Sequence, residues 1–63
     1  MDSDAAELSS LTTVISDAAQ RVAEMANRRG VDPDDPILAR LGEIERSLVT
    51  VERRLRATVR ELD

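Results

Sequence analysis

Sixty-three residues contain no cysteine, no histidine and no aromatic side chain, and the formal net charge is −4. Disulfides and thiolate sites are therefore excluded, and the commonest transition-metal ligand is missing. A core must come from Leu, Ile, Val, Met and Ala, and a chain this short buries too little of its own surface to be comfortable alone, so oligomerisation is the expected source of extra burial.

Charge is unevenly spread. Residues 1–35 hold three Arg against eight acids, whereas residues 36–63 hold six Arg against five. Every basic residue is Arg, a bias typical of GC-rich genomes that points to a bacterial or phage source. No apolar run approaches the ~18 residues needed to span a bilayer, and the acidic start is wrong for a secretory signal, so the cytoplasm is the expected compartment and no membrane partner is expected.

The first predicted element is a helix over about 4–29. Asp4, or equally Ser3, is placed to cap it, with Glu7 near the positive end of the helix dipole. Gly30 is expected to end it in the left-handed conformation, and Arg28 and Arg29 complement the negative end. The linker, residues 30–35, contains Pro33, which disfavours a helical Asp32. Asp35 followed by Pro36 is the cap-then-proline signature of a second helix, expected over about 36–62. So short a connection predicts antiparallel neighbours, and the fold class is all-α, a two-helix hairpin.

The two helices carry different apolar patterns. In the first, Leu8, Leu11, Val14, Ile15, Ala18, Ala19, Val22, Ala23, Met25 and Ala26 cover an arc of about 180° at 100° per residue. One partner helix covers little more than half of that, so the face calls for two neighbours. The second helix repeats every seven residues, with Leu41, Leu48, Leu55 and Leu62 on one line and Ile37, Ile44, Val51 and Thr58 on the next, the pattern of a left-handed seam of knobs and holes. The expected core and dimer seam is Leu11, Ile15 and Val22 with Ile37, Leu41, Ile44, Leu48, Val51, Leu55 and Leu62. The simplest assembly is a homodimer of hairpins forming a four-helix bundle.

Catalysis is not expected. Serines and threonines are present, but no His or Lys can serve as general base, and a hairpin encloses no cavity of the usual ligand size. Asp32, Asp34 and Asp35 invite comparison with a calcium loop, but Pro36 and Ile37 stand where an oxygen ligand and a glycine are needed, so these acids read as helix-capping residues. No metal or cofactor site is expected. Arg53, Arg54, Arg56 and Arg60 could contact phosphate, although the negative charge, Glu52 and Glu61 among them, and the lack of stacking aromatics weigh against it. The expected function is a non-enzymatic protein-interaction module, a small homodimeric adaptor or regulator. Leu38, Val49 and Val59 beside the seam, flanked by Glu45, Glu52 and Arg56, are its candidate partner surface. The alternative is a nucleic-acid regulator that uses the Arg cluster.

Overall fold

A computed structural model describes residues 2–63. It is a hairpin of two packed helices, α1 (Ser3–Arg29) and α2 (Pro36–Leu62), each of 27 residues. The backbone extents are 48 × 14 × 10 Å, those of two antiparallel rods side by side.

The ends of the helices follow from local chemistry, with two differences from the sequence reading. Asp2, rather than Ser3 or Asp4, caps α1: its carboxylate accepts from the Asp4 N–H at 2.8 Å. A side-chain acceptor at this place satisfies a first-turn N–H that has no partner within the helix. Moving the cap back to Asp2 leaves Asp4 inside the first turn, where a negative charge still faces the positive end of the dipole.

Gly30 is not left-handed. Its φ of −63° and ψ of −10° are those of an ordinary right-handed residue. The chain leaves α1 through tight three-residue turns, with the N–H groups of Gly30, Asp32 and Asp35 donating to the carbonyls of Asn27, Arg29 and Asp32. The first two of these bonds satisfy the Asn27 and Arg29 carbonyls of α1 without a positive φ. What favours glycine here is close approach, since a Cβ would stand 3.3 Å from the Asn27 carbonyl oxygen.

Asp35 caps α2 and Pro36 opens it. The Asp35 carboxylate accepts from the Ile37 N–H at 2.9 Å through one oxygen and from the Arg29 guanidinium at 2.7 Å through the other. One side chain therefore starts the second helix and ties it to the last turn of the first. Asp32 accepts from the Asp34 N–H at 3.0 Å, which organises the turn between them.

Between the helices, the least exposed positions of α1 are Ala5, Thr12 and Ala19. They recur every seven residues, and half-buried Ala26 continues the line. Small side chains there let the two backbones approach closely. Thr12 fits because its hydroxyl donates to the Leu8 carbonyl of its own helix at 2.8 Å, so the buried polar group is satisfied without a partner from α2. On α2 the leucine line is innermost: Leu41 is buried at 8 % exposure, and Leu48, Leu55 and Leu62 are half-buried.

Candidate functional site: one uncovered apolar face

The leucine line of α2 has two flanks, and the hairpin covers only one of them. Leu38, Glu45, Glu52 and Val59 form the covered flank and are half-buried. The other flank is open: Ile37, Ile44 and Val51 are exposed, Ile44 at 47 %. In α1, Ile15 and Val22 are half-buried beside the small-residue line, whereas Leu11, Val14 and Met25 are exposed, Val14 at 59 %.

These open residues lie together. Both helices are right-handed, turn by about 100° per residue and run in opposite directions. The line of Leu11, Ala18 and Met25 on α1 and the line of Ile37, Ile44 and Val51 on α2 therefore emerge on the same broad side of the hairpin. The opposite side is polar. There Ser9, Thr13, Ser16 and Gln20 of α1 line a shallow open groove with Arg56 and Arg60 of α2. The molecule has one apolar broad face and one polar one.

Two groups of residues named from the sequence lie apart on this geometry. Leu38, Val49 and Val59, read from sequence as a partner surface, are half-buried and do not belong to the open face. Ile37, Ile44 and Val51, expected in the core and dimer seam, are not covered by the hairpin itself and form much of the open face. The heptad ranks the Ile37 line above the Glu45 and Glu52 line for burial because it is more apolar, but packing inside one chain takes the more polar flank. Glu52 shows how this is tolerated. Its side chain is only 14 % exposed, and its carboxylate pairs with Arg56 one turn later. The aliphatic stem can then lie along the interface while the charge is met at the edge.

The arginines are divided. Arg53, Arg56 and Arg60 fall within about 60° of one another around α2, whereas Arg54 stands roughly 100° from Arg53, on the rim of the apolar face. Arg56 is engaged by Glu52. In the linker, hydrogen bonding holds the Asp35 carboxyl below the usual aspartate range, chiefly through the Ile37 N–H and then through Arg29. Among the described residues, no three carboxylates come together as they would to hold a metal ion. Among the described residues, no helix is long and apolar enough to cross a membrane.

Sequence reasoning found the leucine line because leucine repeats at four consecutive heptads. It placed Ala19 and Ala26 on the apolar arc but did not pick out Ala5 and Thr12, which complete their line at the same seven-residue spacing. Alanine contributes little to an apolar count, and a threonine interrupts the pattern.

No protein-family model, no curated protein and no solved structure matches this chain.

Proposed function

We propose that the chain is a non-enzymatic protein-interaction module that acts as a homodimer, two hairpins closing their apolar faces on each other to form a four-helix bundle. The single observation that carries this reading is the open face, on which Leu11, Met25, Ile37, Ile44 and Val51 are all exposed on one side of the molecule. Apolar surface of that extent drives association in water and marks an interaction site. The size of the chain supports the same reading, because two helices alone make a core of very few buried residues. The chemistry present supports a non-enzymatic role: the groove on the polar face is open to solvent, and the one carboxylate that lines it beside the hydroxyls, Asp17, is exposed on the surface of α1. The dimer would turn both polar faces outward, ready for other proteins.

Light scattering of the purified chain at micromolar concentration is expected to give about 14 kDa, twice the 7.0 kDa of one chain. A well-folded species of single-chain mass would overturn the proposal.

The shared stripe of Arg53, Arg56 and Arg60 favours a second reading, a nucleic-acid regulator. Phosphate contacts release counterions, so such binding would weaken steeply with salt. Gel shifts with generic DNA and RNA at moderate salt are expected to show no complex. A salt-sensitive shift abolished by Arg53→Gln, Arg54→Gln and Arg60→Gln together would replace the interaction-module reading. All three side chains are exposed, so the triple variant keeps its fold.

A further inference from the structure

The apolar face has a charged rim, and the rim is polarised along the hairpin. On α1 the line just outside Leu11, Ala18 and Met25 is Glu7, Val14, Arg21 and Arg28, all exposed. On α2 the line just outside Ile37, Ile44 and Val51 is Arg40, Ser47, Arg54 and Glu61, also exposed. Because the helices are antiparallel, Glu7 and Glu61 both stand at the open end of the hairpin, and Arg28 and Arg40 both stand at the turn end. Asp4, exposed in the first turn of α1, adds to the acidic end.

Two symmetric ways exist to lay this face on a second copy of itself. A two-fold axis along the helices puts α1 over α2 of the copy with both turns at one end. Glu7 then meets Glu61 and Arg28 meets Arg40, like charge on like at all four corners. A two-fold axis across the helices puts α1 over α1 and α2 over α2, with the turns at opposite ends. Glu7 then lies beside the Arg21–Arg28 stretch of the copy and Glu61 beside Arg40, opposite charges at all four corners. Arg54, nearer mid-length, falls between Ser47 and Arg40 of the copy in the second arrangement and between Val14 and Glu7 in the first, so it opposes the corner preference without reversing it. The linker acids Asp32 and Asp34 lie past the helix ends, and Asp35 is held by Arg29.

We propose that two copies of this chain pair face to face in the antiparallel sense, the acidic open end of each lying on the arginine-bearing turn end of the other. The proposal rests on the self-association reading above and adds the orientation and register. Apolar burial is nearly the same in both arrangements, so it cannot choose between them. Each exposed ion pair is worth little by itself, but the choice depends on the difference between four attractive corners and four repulsive ones. The area is adequate: extents of 48 × 14 Å give the face a footprint of about 700 Å², close to the ~800 Å² per partner of a standard stable complex.

The chain has no cysteine, so one introduced cysteine is a unique labelling site. Asp34→Cys places a spin label in the exposed linker. In the antiparallel dimer the two labels should be separated by about the length of the molecule, 48 Å, as read by double electron–electron resonance. Adjacent turns would instead hold the labels roughly 10–20 Å apart, given helix spacings of about 8–10 Å and flexible label arms. That short distance in a dimeric sample overturns the antiparallel arrangement. Absence of any dimer by light scattering on the same sample overturns the self-association reading beneath it, so the two failures are distinct. Glu7→Arg with Glu61→Arg should weaken association about tenfold at low salt, since four corners change from attractive to repulsive. Unchanged association of that double variant overturns the role given to the rim.

Discussion

Gly42 sits in the middle of α2 with no steric demand for glycine. A Cβ there would meet only the flexible end of Arg46, at 3.8 Å. Glycine in a helix interior costs about 0.5–1 kcal/mol relative to alanine through backbone entropy. Gly42→Ala should therefore raise stability by about that amount in denaturant melts, and a loss would mean that something else needs the space. Ala19 is the reverse case. It is buried on the small-residue line, so Ala19→Leu should overpack the hairpin and cost ~1–3 kcal/mol. Ala6→Leu, one helix face away and exposed, should be close to neutral. Equal effects at the two positions would show that close approach of the helices is not what the small residues provide. Asp35 links the turn to pH. Its carboxyl is held below the ordinary aspartate range by the Ile37 N–H and by Arg29. Its contribution is then fully present above the unfolded value of about 3.9 and is lost as pH falls through the lowered folded value. Asp35→Asn keeps an acceptor for the cap but removes the titration and the ion pair. The melting temperature of the variant should start lower at neutral pH and fall less on acidification than that of the parent chain.

At the scale of the elements, each helix has an inner line and two unequal flanks, and truncations should separate them. Leu41 is buried between the helices, so Leu41→Ala should cost ~2–5 kcal/mol whatever the oligomeric state. Ile44 is exposed in the single hairpin. If the face closes on a second copy, Ile44→Ala should cost a comparable ~2–5 kcal/mol and make the melting temperature depend on protein concentration more strongly. If the face remained in water, the same change would cost less than about 1 kcal/mol. Thermal melts of both variants over a hundredfold range of concentration decide between these outcomes. The hairpin connection also works at this scale. Successive three-residue turns and the Arg29–Asp35 pair reverse the chain without any residue at positive φ, so the turn imposes no backbone strain.

At the scale of the whole molecule, the amino-acid sequence by itself determined that there are two helices, that they break around Pro33 and restart at Asp35-Pro36, and that the apolar arc of α1 is too broad for one neighbour. Those conclusions rest on local chemistry and on periods within a single helix: a capping carboxylate, a proline that fixes φ, and alternating steps of three and four. The leucine line was legible for the same reason. The choice of flank was decided only by the tertiary structure. The leucine line has Ile37, Ile44 and Val51 on one side and Leu38, Glu45, Glu52 and Val59 on the other, and both flanks share its seven-residue period. Which one turns inward depends on the partner helix, on the direction of the turn and on how closely the backbones approach at Ala5, Thr12 and Ala19. None of these is a property of α2 taken alone. The hairpin covers the flank whose carboxylate Glu52 finds a partner in Arg56, and it leaves the more apolar flanks of both helices side by side on one open face. A period read along one helix cannot contain that outcome, because it is fixed by the relative rotation of two helices about their axes.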